Sequence, residues 1–123
     1  MASIIQTVEG VVNNKFVIES VLKFGRSSDN QVQIDDLEVS TNHAQIICDV
    51  NDDGKPIYIL EDLRSTNGSF INEAKVDKQQ LHHKDNVRIG WNIFTFIDED
   101  EVDLEKTREV KKSWIPGVFY SKD

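Results

Sequence analysis

Three short segments of this chain carry side chains that could bind an oxyanion. They are Phe24 to Ser28, Val39 to Ala44 and Ser65 to Asn72. Arg26 offers a forked cation, and Asn67 offers an amide that could hold a peptide backbone. Further hydrogen-bond donors are the hydroxyl groups of Ser40, Thr41 and Thr66. No acidic residue lies within the three segments.

Each polar segment follows or adjoins an apolar, β-branched run, which is typical of a loop that leaves a strand. The sequence therefore predicts a set of strands whose loops form one rim. The expected strands are Ile4 to Thr7, Lys15 to Glu19, Val21 to Phe24, Gln31 to Ile34, Ala44 to Val50, Pro56 to Glu61, a short strand from Phe70, Val87 to Ile89 and Ile93 to Ile97. A polar turn is expected at Asn13-Asn14, a hairpin turn at 51–55, and a polar loop over 78–84.

Length and composition predict one ordinary globular domain. The chain has 123 residues, of which 38% are hydrophobic and 29% charged, and no apolar run approaches the ~18 residues needed to cross a bilayer. Its first residues lack the features of a signal peptide. The single cysteine, Cys48, excludes an internal disulfide, and it shares a strand face with Ala44 and Ile46. A buried, inert thiol and a cytoplasmic or other reducing compartment are expected.

The net charge of -8 opposes nonspecific binding to nucleic acid or to an anionic membrane. It does not oppose a local phosphate site, because distant charges are screened beyond ~10 Å. A small positive spot on an acidic body should favour ligands with basic flanks. The candidates for that spot are Lys23, Arg26 and Arg64.

The order and spacing of the three motifs resemble the forkhead-associated (FHA) domain family. The motifs are Gly25-Arg26, then Ser40-Thr41-Asn42-His43, then Asn67-Gly68 followed by Ile71-Asn72. The likeness extends from about Ile4 to Ile97. It implies an all-β fold, a β-sandwich of two twisted sheets with the binding loops at one rim.

The resemblance also implies a function, which is the recognition of phosphothreonine in an extended peptide. Phosphopeptide contacts would come from Arg26, Ser40, Thr41, Thr66 and Asn67. Structural support of the binding loops would come from Gly25, His43, Gly68 and Asn72. The chain departs from the family at Thr41, where arginine or asparagine is common, and at Glu73 and Lys84, where glycine is usual.

Two other classes of function compete with the prediction of phosphopeptide recognition. Ser40 and His43 could suggest a nucleophile and a base, but no convincing orienting acid or oxyanion hole accompanies them, so an enzyme is not expected. His82 and His83 are adjacent and are a weak metal signal, so neither a metal nor a cofactor is expected. The alternative is a phosphate-independent scaffolding or interaction subunit that keeps the fold but uses another face or the C-terminal tail.

The composition changes near Ile97, which predicts a domain over residues 1–97 and an extension over 98–123. The extension is first charged and then aromatic, and Trp114, Phe119 and Tyr120 could contact a second protein. The same aromatic residues could instead fold back on the domain. Thr107 followed by Val110 also resembles the ligands that some FHA domains accept.

Overall fold

The structure is a computed structural model that describes residues 2–8 and 10–100. Within these ranges the chain forms eleven strands. They are β1 (Ala2–Val8), β2 (Val11–Ile18), β3 (Val21–Gly25), β4 (Val32–Gln33), β5 (Ala44–Val50), β6 (Pro56–Asp62), β7 (Ser69–Ile71), β8 (Ala74–Val76), β9 (Lys78–Gln80), β10 (Asn86–Ile89) and β11 (Asn92–Asp98).

The strands form two sheets, as the sequence predicted. One sheet has the order β2-β1-β11-β10-β7-β8, and the other has the order β4-β3-β5-β6-β9. Neighbouring strands are antiparallel in both sheets, except for the short parallel pair of β3 and β4. All-β folds of this kind keep alternate side chains in a core between the sheets.

The core is aliphatic and aromatic, and both sheets contribute to it. Phe24 from one sheet meets Phe94 from the other, with ring centroids 5.6 Å apart in an edge-to-face arrangement. Tyr58 and Phe96 make a second contact across the sandwich at 5.5 Å. Burial of such side chains is the main favourable contribution to folding. The sequence pattern is sufficient to predict which side chains face the core, since the buried residues alternate along β3, β5, β6 and β11.

The predicted hairpins near the middle and the end of the domain are confirmed. Strands β5 and β6 pair from Ala44 opposite Asp62 to Val50 opposite Pro56, and β10 pairs with β11. The predicted turn at Asn13-Asn14 is wrong, because both residues lie within β2. The register passes from Asn14 to Val12 at a bulge that leaves Asn13 unpaired, while Gly10 takes the left-handed φ of 81° near the hairpin tip.

Two further predictions need correction. Lys78 to Gln80 belong to a strand, β9, which pairs with the edge of β6, although the segment was expected to be a loop. All three side chains are exposed, so no apolar pattern marked the strand. Cys48 is half-buried rather than buried, although it packs against the core.

The first and last strands of the sandwich are neighbours. Strand β1 pairs with β11 so that Ala2 lies opposite Asp98.

The described residues contain no helix that is long and apolar enough to span a membrane. Trp114, Phe119, Tyr120 and Thr107 lie outside the described residues, so their predicted roles remain predictions.

Lys84 gives a test of the backbone geometry. It adopts a φ of 74°, where a Cβ atom is unfavourable, and its backbone N–H donates to the Phe96 carbonyl at 2.7 Å. We expect Lys84→Gly to be more stable than Lys84→Ala by about 1 kcal/mol, because both variants lose the side chain but only glycine relieves the strain. Urea denaturation of the two variants measures the difference. Equal stability would contradict the left-handed conformation of Lys84.

Candidate functional site

Three loops meet at one end of the sandwich. We call them the Arg26 loop (residues 26–31), the Ser40 loop (35–43) and the Asn67 loop (63–68), and together the loop rim. The backbone N–H of Arg26 donates to the Ser40 carbonyl at 3.0 Å. The backbone N–H of Thr66 donates to the Ser40 hydroxyl oxygen at 3.0 Å, and the Asn67 amide donates to the Glu38 carbonyl at 2.9 Å. The motifs that are distant in sequence are therefore joined directly.

Gly25 allows the Arg26 loop to approach the Ser40 loop. A Cβ atom at this position would overlap the carbonyl oxygen of Thr41 and lie 2.6 Å from the side-chain nitrogen of Asn30. Asn30 is buried, and its amide donates to the carbonyls of Ser27 and Thr41 at 3.0 and 2.9 Å. Any larger residue at position 25 would push these two loops apart.

Arg26 follows the last residue of β3, and its guanidinium is held at one point. Its Nε donates to the Val39 carbonyl at 3.1 Å, and the side chain is exposed. Within residues 2–8 and 10–100, no hydrogen bond or ion pair is recorded for its two terminal nitrogens. These nitrogens carry the donors that can bind an anion in a forked geometry. The Val39 contact fixes the direction in which they point.

His43 links the Ser40 loop to the Asn67 loop. Its ring is fully buried, and Nδ1 accepts a hydrogen bond from the Ser40 backbone N–H at 3.0 Å. Because Nδ1 is the acceptor, Nε2 carries the proton and donates to the Gly68 carbonyl at 2.8 Å. Gly68 itself has a φ of 88°, which a residue with a Cβ rarely adopts. The ring is thus a fixed spacer between the two loops.

The remaining predicted contact residues lie on the rim with unused hydrogen-bonding capacity. Ser40 accepts from Thr66, so its own hydroxyl hydrogen is available to a ligand. Thr41 and Thr66 are exposed, and the structure records no bond from either hydroxyl among the described residues. Asn67 uses one of its amide hydrogens for Glu38 and keeps its carbonyl oxygen and its other hydrogen.

Asn72 does not contact the rim. Its side chain donates to Asp85 and accepts from the Asn86 backbone N–H, both at 3.0 Å. These bonds lie at the far end of β7 from Ser69 and hold the segment before β10. The predicted support of the binding loops is therefore not found among its contacts.

The sequence reading missed Asp62, which organises the Asn67 loop. One carboxylate oxygen accepts from the hydroxyl groups of Ser65 and Ser69 at 2.6 and 2.7 Å, and the other accepts from the Ser65 backbone N–H at 3.0 Å. The Ser65 hydroxyl oxygen in turn accepts from the Gly68 N–H at 2.9 Å. An aspartate three residues before a serine at a strand end is a typical turn pattern and could have indicated this role.

The hydrogen bonds to Asp62 control its ionisation. Partial burial of the carboxylate raises its pKa, but the bonds from the two serine hydroxyls and the Ser65 N–H outweigh this effect, so the pKa lies below its ordinary value. The carboxylate is therefore ionised in the folded protein at neutral pH.

Among the described residues, no group of three or more histidine, cysteine or acidic side chains is placed to hold a metal ion.

The sequence matches a known family and several known proteins. The family model for the FHA domain matches residues 22–90. A probable serine/threonine-protein kinase fhkE of Dictyostelium discoideum is 41% identical over 63 residues, which cover 50% of this chain and 9% of that protein. The glycogen accumulation regulator GarA of Mycobacterium tuberculosis is 30% identical over 85 residues, which cover 68% of this chain and 49% of that protein. The matched region thus spans less than half of either curated relative.

Several solved structures resemble this fold. One comes from an analysis of phosphothreonine-dependent FHA domain interactions, with a TM-score of 0.67 and 28% identity, covering 80% of this chain and 97% of that chain. Another is Mycobacterium tuberculosis EmbR in complex with a low affinity phosphopeptide, with a TM-score of 0.66 and 26% identity, covering 78% of this chain and 24% of that chain.

The lowered pKa of Asp62 predicts a pH dependence of stability. A carboxyl group whose pKa falls on folding stabilises the protein above its unfolded pKa of about 4, and this contribution is lost as the pH falls through the folded pKa. We expect Asp62→Asn to be less stable than the wild type at pH 7, with a difference that narrows toward pH 3. Urea denaturation across this pH range measures it.

Asp53→Asn in the exposed β5–β6 turn is the control for the loss of one negative charge. It removes the same charge and leaves Ser65 and Ser69 untouched. A difference between Asp62→Asn and the wild type that does not change with pH would show that these hydrogen bonds do not depend on the ionised carboxylate.

Proposed function

The chain belongs to the FHA domain family, and on this premise we propose that it binds phosphothreonine-containing segments of a partner protein through the loop rim. The observation that carries the proposal is the Arg26 guanidinium, which is anchored through Nε to Val39 and keeps its terminal nitrogens free among the described residues. FHA domains are interaction modules, and we propose that this one acts without catalysis.

A phosphate dianion at the rim would meet complementary donors. The guanidinium of Arg26 would bind two phosphate oxygens, and the hydroxyl groups of Ser40, Thr41 and Thr66 would donate to the rest. The amide of Asn67 would hold the peptide backbone, since one hydrogen and the carbonyl oxygen are unused. The side chains of Arg26 and Asn67 and the backbones of Thr41 and Thr66 are already held by hydrogen bonds within the protein, so little ordering of the loops would be needed when the ligand binds.

Thr41 distinguishes this rim from those of many relatives. Its hydroxyl can donate one hydrogen bond, but it supplies neither the charge nor the reach of an arginine. Because Thr41 is exposed on the Ser40 loop, we propose that it contacts the ligand and that the affinity is lower than an arginine at this position would give.

The kinds of protein that resemble the chain support the proposal. The solved structures that resemble the chain include an FHA domain studied for phosphothreonine-dependent interactions and EmbR in complex with a low affinity phosphopeptide. We propose a cytoplasmic or other reducing location on the basis of the single cysteine. We also propose that the extension over 98–123 can contact a second protein, and that neither nucleic acid nor a membrane is a partner, given the net charge of -8.

Arg26→Ala tests the phosphate contact. We expect this variant to lose measurable binding to phosphothreonine peptides, because the loss of a charge-assisted contact to phosphate costs about 2 to 5 kcal/mol. Titration calorimetry with a phosphothreonine peptide library measures the affinity, and circular dichroism confirms that the variant folds. Ser40→Ala should weaken binding less, because it removes one neutral donor of several.

Lys55→Ala is the matched control, since it removes an exposed cation from the turn at the opposite end of β5. It should bind as the wild type does. A folded Arg26→Ala protein with wild-type affinity would contradict the assignment of Arg26 as the phosphate contact. Equal binding of phosphorylated and unphosphorylated peptides by the wild type would favour the phosphate-independent scaffold instead.

Thr41→Arg tests the departure from the family. We expect tighter phosphopeptide binding, because the guanidinium adds a cation beside the phosphate, and the gain should be larger at low ionic strength. Calorimetry at two salt concentrations measures both effects. An unchanged or weaker affinity at both concentrations would show that residue 41 faces away from the ligand.

A further inference from the structure

Two exposed cations that the family resemblance does not single out flank the Asn67 loop. Arg64 lies at its start, and Lys75 packs against its end from the neighbouring strand β8. We infer that Arg64 and Lys75 form a second cationic contact, which binds an anionic group of the ligand in addition to the contact made by Arg26. The inference rests on the proposed function and extends it to the chemistry of the ligand.

The placement of Lys75 follows from the packing of its side chain. Lys75 lies opposite Phe70 in the pairing of β7 and β8, and its aliphatic carbons run along Gly68. A Cβ atom built on Gly68 would lie 2.9 Å from Cε of Lys75 and 3.5 Å from its Cγ and Cδ. The ammonium group, one bond beyond Cε, is therefore held beside the turn formed by Asn67 and Gly68.

The backbone of Arg64 is strained, and it lies in the turn that the hydrogen bonds from Ser65 to Asp62 close. Its φ is 58°, a left-handed conformation that costs a residue with a Cβ free energy and is typical of functional sites. Glu73 has a similar φ of 69°, but its carboxylate pairs with Arg88 at 2.9 Å. Arg64 is exposed and has no recorded side-chain bond in residues 2–8 and 10–100.

Neither of these two cations forms an ion pair with another described residue. Acidic residues border the Asn67 loop: Asp62 accepts from Ser65, the Glu38 carbonyl accepts from Asn67, and the Asp77 carbonyl accepts from the Asp62 N–H. The Asp62 carboxylate is ionised and accepts hydrogen bonds from Ser65 and Ser69, and neither it nor Glu38 forms an ion pair within the described residues. Arg64 and Lys75 thus lie on either side of Thr66 and Asn67 without an ion-pair partner among the described residues.

The ligand that fits this surface differs from the one that composition alone suggested. Ligands with basic flanks were expected because the whole chain is acidic. In salt, however, charges at contact distance affect the ligand more than distant charges, which are screened. The shared chemistry of the ligand group is an oxyanion, which could be the phosphate itself or the carboxylate of an aspartate or glutamate near the phosphothreonine. The two sources can be separated by experiment.

Three matched peptides form the test. The first contains phosphothreonine between neutral residues, the second contains the same phosphothreonine with glutamates on both sides, and the third is the second without phosphate. Their affinities are measured at about 0.05 and 0.5 M NaCl for the wild type, Lys75→Gln, Arg64→Gln and the double variant. Lys55→Gln removes the same charge at the opposite end of β5 and is the control.

We expect the double variant to bind the glutamate-flanked phosphopeptide about 3 to 20 times more weakly than the wild type at low salt, with a smaller effect at high salt. Weakening of that peptide alone identifies a carboxylate as the bound group, and equal weakening of both phosphopeptides identifies the phosphate. Lys55→Gln should change neither. Lys75→Arg, which keeps the charge, should bind as the wild type does.

Arg64→Gly separates binding from stability. Glycine relieves the strain at φ 58° and removes the cation, so this variant should melt at a higher temperature than Arg64→Ala and yet bind more weakly than the wild type. A purely structural residue would not give this combination.

Affinities of the double variant within twofold of the wild type for both phosphopeptides at both salt concentrations would overturn the second contact. The proposed function would stand in that case, provided that Arg26→Ala still loses binding. Failure of the wild type to bind either phosphopeptide would contradict both the proposed function and this inference.

Discussion

The imidazole ring of His43 is the contact on which the loop rim depends. It lies between a backbone donor in the Ser40 loop and a backbone acceptor in the Asn67 loop, and no solvent reaches it. A buried polar group that loses its partner costs about 1 to 3 kcal/mol, so both loops are held at the distance that the ring sets. Thr66 and Asn67 reach Ser40 and Glu38 because of that distance.

A second set of bonds holds the Asn67 loop from below. Asp62 binds two serine hydroxyls, and one of these serines accepts from the Gly68 N–H. The carbonyl and the N–H of Gly68 are therefore both fixed, one by His43 and one by Ser65. Groups that bind a ligand can remain exposed on such a loop, because the bonds that position them lie beneath the surface.

The sequence was sufficient for much of the fold and for the placement of the motifs. Alternating apolar residues predicted β5, β6 and β11, since one face of each strand is buried. It was insufficient where backbone geometry decides the outcome without a hydrophobic signal, as in the bulge at Asn13 and the exposed strand β9. Asp62 was missed because its role depends on serines that are brought together by a turn. The positions of Arg64 and Lys75 beside that turn also depend on backbone conformation and side-chain packing. A sequence motif contains neither.

The pairing of β1 with β11 determines how such a domain can be joined to other parts of a polypeptide. Ala2 and Asp98 are cross-strand neighbours, so the chain enters and leaves the sandwich at one point. Asn92, at the other end of β11, is bonded to Asp36 in the Ser40 loop, and seven residues of extended strand span roughly 20 Å. Segments that precede Ala2 or follow Asp98 would thus start at the opposite pole from the loop rim. A domain with this geometry can be inserted into a longer protein without distorting its sheets and without blocking the loop rim.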